Sequence, residues 1–377
     1  MKTSIKIATI LDIPIKIHFT FLFILALFAW AFSLETLTIF GFSIGFGDFS
    51  ISLVFKILLG GLVAIFLFIC VLLHELGHSY ITQQYGHTIK GITLFVFGGS
   101  SESEEIPKQP RKEISIAVAG PLVSLIIGSI LYAMYIIIQT LDANLSVNIL
   151  RSMVGTLAFY NLILAGFNLI PAFPIDGGRV LRAGLAIRMN YQKATKTAAN
   201  IGKGIAVGMA IFGIFFNLWL VLIAIFIFFG ATQEQKTTEI SEALEGKKIN
   251  DIMDKEVETV ASDTTLDELY QKMEDRKQFS YPVIQNQSIV GVVTAEDLKG
   301  ISKDNWSKTS VEDIMNEDVE MVSADDDAFS VFKTLIKKNL ERIFVKDTNN
   351  QVIGMISRND LLRTIRFYGI DQKDNLR

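Results

Sequence analysis

The stretch Val71-Leu72-Leu73-His74-Glu75-Leu76-Gly77-His78 decides how this chain is read, because it sets an HExxH pattern at the end of an apolar run spanning about 53–80. On a helix, a spacing of four puts His74 and His78 on one face, where two imidazole nitrogens can share a metal ion. Glu75 then stands beside them, placed to take a proton from an attacking water. The same pattern also occurs as an exposed charged stretch of soluble helices. Here it lies in apolar surroundings, and ionisable groups at membrane depth are costly enough to mark a functional site.

Two histidines leave a catalytic zinc one protein ligand short, since such sites use three and keep one exchangeable position. The single cysteine, Cys70, sits inside the apolar run, so no internal disulfide or thiolate cluster is available. The third ligand is then a carboxylate or another histidine. His18 opens the first apolar run and His87 follows a Tyr85-Gly86 turn, and both read as interfacial side chains. Asp176 is the better candidate. In Asn168-Leu169-Ile170-Pro171-Ala172-Phe173-Pro174-Ile175-Asp176-Gly177-Gly178, two prolines and two glycines break an apolar helix. Such backbone is tolerated at membrane depth only where protein or a water-filled cavity satisfies it. A plain Asp-Gly turn is the competing reading, and the presence of His74 and His78 weighs against it.

Working outward, runs long enough to cross about 30 Å of hydrocarbon lie at 17–34, 53–80, 114–139 and 148–171. Basic residues precede the first (Lys2, Lys6, Lys16), separate the second from the third (Lys90, Lys108, Arg111, Lys112) and follow the fourth (Arg179, Arg182, Arg188, Lys193, Lys196, Lys203). Segments 35–52 and 140–147 contain none. The positive-inside rule therefore puts both ends of this portion in the cytoplasm. A last apolar stretch, 204–231, is expected to turn back near Phe216-Asn217, each leg being about 13 residues or ~20 Å, for six crossings in all. No small-residue cleavage signature follows the first run, so it reads as a retained anchor.

Overall composition conceals two halves. Half the residues are hydrophobic, 28 of them Phe, while the net charge is only -4; the apolar runs concentrate before 232 and the Asp, Glu and Lys after it. We expect a membrane domain at 1–232, a polar linker at 233–248, and two small domains at 249–308 and 309–377. The last two form an internal repeat: Asp251-Ile252-Met253 recurs as Asp313-Ile314-Met315, and Thr259-Val260 as Met321-Val322. Each copy continues with a helical pattern, short alternating strands and a closing helix, which argues for a compact α/β unit built twice.

HELGH in one crossing and NLIPAFPIDGG in a later one together resemble the site-2 protease family of intramembrane zinc metalloproteases, over about 1–232. The resemblance implies a six-helix membrane domain with a small membrane-associated β-sheet. It also implies one zinc ion per chain held by His74, His78 and Asp176, with Glu75 as general base. It places Asn168, eight residues before Asp176, at the substrate peptide or the developing oxyanion; a helix-packing hydrogen bond is its plainer role. Residues 89–99 resemble the family's membrane-associated strand, whose edge would pair with substrate backbone, unless they form a hairpin packed on itself. Gly120-Pro121 also fits the family pattern, and close helix packing explains it equally.

In the repeat, Gly291-Val-Val-Thr294-Ala-Glu-Asp297 and Gly354-Met-Ile-Ser357-Arg-Asn-Asp360 resemble the strand-to-helix signature of tandem cystathionine-beta-synthase (CBS) domains, over about 249–368. The resemblance implies that Thr294, Asp297, Ser357 and Asp360 hold the ribose or phosphate of ATP, ADP or AMP. Helix capping is the competing role. Pro282 of the first copy is replaced by Phe344 in the second.

The expected whole is a polytopic α-helical membrane protein with a cytoplasmic α/β CBS pair, multi-pass in the cell membrane with both termini cytoplasmic, from a prokaryotic host. Its expected function is hydrolysis of peptide bonds in or near transmembrane segments of single-span proteins, in regulated intramembrane proteolysis. The lipid bilayer, an adenine nucleotide and a second copy joined through the CBS domains are the other expected partners; nucleic acid is not. A CBS-regulated metal-ion transporter is less favoured, since transport has no need of the acid between the two histidines. A catalytically inactive membrane chaperone has no need of the complete residue set.

Overall fold

The computed structural model describes residues 4–95, 98–103, 109–285, 288–317, 319–347 and 351–374. Lys2, Lys108 and Val96-Phe97 of the expected 89–99 strand lie outside them. The chain divides into two compact units, Met1–Lys236 and Thr237–Arg377.

The first unit opens with a hairpin, β1 (Ser4–Ile10) and β2 (Ile13–His18). Leu11 and Asp12 between them both take positive φ, 53° and 62°, the two-residue turn that suits strand twist. β2 pairs in parallel with β5 (Ile89–Phe95), which pairs antiparallel with β6 (Gly98–Ser103), giving the order β1-β2-β5-β6. Ile13, Ile15, Ile89 and Ile92 of this sheet bury Leu76, the residue inside the HExxH motif. The sheet thereby lies against the motif's own helical turn. This corrects the expectation of a free edge along 89–99: β5 is paired on both sides, and the sheet's described edges are β1 and β6. The alternation in Ser4–His18 supplies two strands where hydropathy shows only a lysine-bearing flank.

Helices α1 (Thr20–Leu34), α2 (Leu53–Gln84), α3 (Pro110–Gln139) and α4 (Leu145–Asn168) follow, then the short α5 (Asp176–Ala186), α6 (Tyr191–Phe216) and α7 (Leu218–Leu244). Their starts are chemically marked. Ser52, Asn144 and Asn190 each accept from the backbone N–H three residues on, capping α2, α4 and α6. Among the described residues, five helices are long and apolar enough to span a bilayer: α2, α3, α4, α6 and α7. α1 has 15 residues, or about 22 Å, shorter than the hydrocarbon core.

The chain breaks at Asn217, whose backbone is extended (φ -164°, ψ 112°), where the turn is expected. Its legs, however, have 26 and 27 residues rather than about 13. α6 begins at Tyr191 because Lys193, Lys196 and Lys203 lie on helical turns that hydropathy does not register. α7 runs on to Leu244, through most of the segment expected to be a polar linker.

In the second unit, β7 (Val260–Ala261), β8 (Ser280–Gln285) and β9 (Ser288–Thr294) form one sheet, and β10 (Met321–Ser323), β11 (Arg342–Lys346) and β12 (Val352–Ser357) another. In both, a parallel pair is followed by an antiparallel one. α8 (Leu266–Arg276) and α9 (Ala328–Lys337) link the strands, and a Thr265–Glu268 capping box starts α8. The repeats exchange their leading segments. Ile249 and Met253, ahead of the first copy, are buried with Leu335 and Ile343 of the second. Val311, ahead of the second, is buried with Leu266 and Val283 of the first. The closing helices also differ: a 3-10 turn at Asp297–Gly300 against α10 (Arg358–Asp374), 17 residues long.

Candidate metal centre

His74 and His78 project from one face of α2 and are 4% and 7% exposed. Asp176 is the first residue of α5, its side chain 13% exposed. The pairwise separations are 3.2 Å between the two Nε2 atoms, 3.1 Å from His78 Nε2 to Asp176 Oδ2, and 3.4 Å from His74 Nε2 to the same oxygen. Donors of a tetrahedral zinc, each about 2.0–2.1 Å from the metal, stand roughly 3.3–3.4 Å apart. The observed triangle has nearly that edge.

The imidazoles are held from behind. His78 Nδ1–H donates to the Ile116 carbonyl at 2.7 Å, which fixes the tautomer and leaves the Nε2 lone pair facing inward. His74 Nδ1 lies 2.9 Å from Ser124 Oγ, a hydroxyl with no exposure. Both partners are on α3. Two imidazole nitrogens and a carboxylate oxygen, each able to ligate a metal, thus converge on one point. On the open side α3 carries Gly120: a Cβ at that position would stand 2.2 Å from His78 Nε2 and 2.6 Å from His74 Nε2. The missing side chain leaves the volume an ion would fill. The residues present therefore fit zinc in donor type, number and spacing.

Asp176 reaches this point because α5 starts tightly against the turn before it. A Cβ on Gly177 would meet the Ile170 carbonyl at 2.2 Å, and one on Gly178 would meet Phe173 N at 2.5 Å. Phe173, 1% exposed among Ala198, Ala199 and Ala231, anchors that turn. Glu75, half-buried, faces β6, where a Cβ at Gly99 would lie 2.4 Å from its Cγ. The strand can pass over the glutamate only as glycine.

Asn168 is the last residue of α4, and its Nδ2 donates to the Leu164 carbonyl at 2.9 Å, the helix hydrogen bond of its plainer role. In the second unit, Thr294 donates through both N and Oγ1 to Asp297 Oδ2, at 2.7 Å each. Ser357 does the same to Asp360 Oδ2, at 2.9 and 2.5 Å. One oxygen of each carboxylate is thus committed to its own turn. Sequence reasoning did not assign Ile116, Ser124, Gly120 or Gly99 to the centre. Gly120 had a signal, the Gly-Pro pair within an apolar helix; a backbone carbonyl such as that of Ile116 has none.

Comparison with known proteins finds the Peptidase family M50 model at residues 62–149 and 135–210, and the CBS domain model at 249–304 and 311–366. A zinc metalloprotease of Methanocaldococcus jannaschii is 37% identical over 366 residues, covering 97% of both chains. The stage IV sporulation protein FB of Bacillus subtilis is 34% identical over 129 residues, 34% of this chain and 42% of that one. Among solved structures, a site-2 protease from Methanocaldococcus jannaschii is 41% identical, covering 62% of this chain and 95% of that one, with a TM-score of 0.42.

Proposed function

The chain belongs to peptidase family M50 as a zinc metalloprotease of the site-2 type carrying a CBS pair, and on that premise we propose which residues do the chemistry and how it is governed. The protein hydrolyses peptide bonds within or near transmembrane segments of single-span membrane proteins. His74, His78 and Asp176 hold the zinc and Glu75 is the general base. The observation that carries this assignment is the triangle of three donors at 3.1–3.4 Å with Gly120 open beside it.

Zinc bound there supplies a Lewis acid that polarises the scissile carbonyl and acidifies water. The Ile116 carbonyl and Ser124 hydroxyl keep both imidazoles aimed with Nε2 toward the centre. Glu75, adjacent in sequence and fixed beneath β6, accepts a proton from the attacking water and delivers it to the leaving amine. Asn168, beyond its bond to Leu164, retains an amide N–H and a carbonyl for substrate backbone. Substrate must be presented extended, because a helix conceals its peptide bonds. β6, an edge of the sheet among the described residues, crosses Glu75 and would offer its outer backbone for that purpose.

We place both termini and the CBS pair in the cytoplasm, with six crossings if α1 is counted. Support comes from the basic segments beside the HExxH end of α2 and after α4, and from the two full-length legs on either side of Asn217. Adenine nucleotide at Thr294, Asp297, Ser357 and Asp360 modulates cleavage, each Asp keeping its second oxygen for ribose hydroxyls, and the CBS pair associates with that of a second copy. The test is cleavage of a model single-span substrate by purified wild type and Glu75→Gln, with and without chelator. Cleavage that persists in the variant, or survives chelation, would remove the assignment.

A further inference from the structure

Arg182 lies on α5 at 2% exposure, and the charges around it serve no step of the hydrolysis. Its Nε and Nη2 both donate to Glu113 Oε1, at 2.7 and 2.5 Å, and its Nη1 donates to Glu234 Oε1 at 2.5 Å. The rings of Phe173 and Tyr191 lie 5.0 and 4.9 Å from its Cζ. One guanidinium therefore joins α3, α5, α6, α7 and the turn before Asp176.

As a source of stability this cluster is a poor choice. Buried ion pairs rarely outperform apolar residues of equal volume. Glu113 is 1% exposed, and its Oε2 has no hydrogen-bond partner among the described residues, which adds a desolvation cost. What the arrangement does supply is direction. A guanidinium is flat, with donors in a rigid fork, so the Glu113 carboxylate, which takes two of those donors, and two nearby rings fix where α5 sits and how it is rotated.

The elements so fixed are the ones that build the metal centre. Arg182 is six residues beyond Asp176, roughly 9 Å along α5. Glu113 precedes by three residues Ile116, whose carbonyl holds His78, and by seven Gly120, which faces both Nε2 atoms. We infer that Arg182 is a positioning residue for the metal centre: through Glu113 it sets the Asp176 carboxylate against the Nε2 atoms of His74 and His78. This rests on the zinc assignment above. The Glu234 arm reaches α7, which carries no donor.

The test uses full-length protein in detergent, loaded with Co2+ in place of zinc, with affinity read by chelator competition and coordination by the visible d–d absorption. Arg182→Lys keeps the charge but loses the fork; Glu113→Gln keeps the shape but loses the charge. Both are expected to weaken Co2+ binding about 10-fold or more and to alter the d–d band, while Glu234→Gln leaves both readings unchanged. Should the single variants fold poorly, the apolar pair Arg182→Met with Glu113→Met removes both charges at similar volume, and weakened binding with an altered band is expected of it as well. Variants that unfold at lower temperature yet bind Co2+ with wild-type affinity and spectrum would reduce Arg182 to a structural role and overturn the proposal. Wild type that binds no Co2+ would overturn the zinc assignment itself, and this inference with it.

Discussion

Replacing Gly120 by Ala adds one methyl group, and the geometry makes its effect specific. In a helix interior, Gly to Ala ordinarily stabilises by about 0.5–1 kcal/mol. Here the new Cβ would stand 2.2 Å from His78 Nε2 and 2.6 Å from both His74 Nε2 and His78 Cε1. Restoring an ordinary contact of about 3.4 Å requires a displacement near 1.2 Å (3.4 less 2.2), comparable to the ~1 Å misplacement that costs about 10²-fold in rate. Neither side yields easily. The imidazoles are tied to Ser124 and Ile116, on the same helix as the new methyl. We therefore expect Gly120→Ala to lose about 1–3 kcal/mol of stability through overpacking, lose about 10²-fold or more in kcat/KM, and retain little zinc after dialysis. Gly208→Ala on α6, with no neighbour within 4 Å, is the control and should keep metal and activity. Measuring zinc content, cleavage and thermal unfolding on the same preparations separates the possibilities. A Gly120→Ala protein that holds one zinc per chain and cleaves at the wild-type rate would mean that no metal sits against Gly120.

Three further outcomes follow from other contacts. Ser124→Ala removes the hydroxyl behind His74 and should weaken zinc binding about 10–100-fold in chelator competition, with little change in thermal unfolding. Gly99→Val drives a side chain into Glu75, whose Cγ would be 2.4 Å from the new Cβ; zinc content should remain while kcat falls by about 10² or more. Asp360→Ala takes away the acceptor for both Ser357 N and Oγ. It should destabilise the second unit by about 0.5–2 kcal/mol in denaturant titration and abolish any calorimetric heat with ATP or AMP, whereas retained heat would exclude Asp360 as a nucleotide ligand.

How much of this was legible in the sequence depended on whether the information is local. The i,i+4 pair of His74 and His78 is a helical property, and Asp176 is marked by prolines and glycines that few apolar helices contain, so three converging donors were readable from two short segments. Ile116 and Ser124 were not, because which turns of α3 face α2 is a tertiary fact, and a carbonyl has no residue signature. The turn at Asn217 was inferred from charge, because Lys236, Lys247 and Lys248 argue against a single crossing over 204–231, but the length of its legs was not legible. Hydropathy ends a span at Lys203, whereas backbone hydrogen bonds continue α6 back to Tyr191. The β1-β2 hairpin was missed for a related reason: in Ser4–His18, isoleucines alternate with small, polar or basic residues such as Lys6, Ala8, Pro14 and Lys16, and a helix-length window averages that alternation away. In the repeat, pairing Asp251-Ile252-Met253 with Asp313-Ile314-Met315 reveals duplication. It does not say which core each leading segment enters, and Ile249 and Val311 each pack against the other copy.

We assign a single zinc, held beside Glu75 by two imidazoles of one helix and the carboxylate of another. X-ray absorption at the zinc edge of purified Glu75→Gln protein tests it most directly, since that variant should keep the metal while losing cleavage. The expected spectrum has one zinc per chain with only nitrogen and oxygen neighbours at about 2.0–2.1 Å, two of them showing imidazole scattering. Absence of zinc at neutral pH, a sulfur neighbour, or a spectrum unchanged when His74 is replaced by Ala would contradict it.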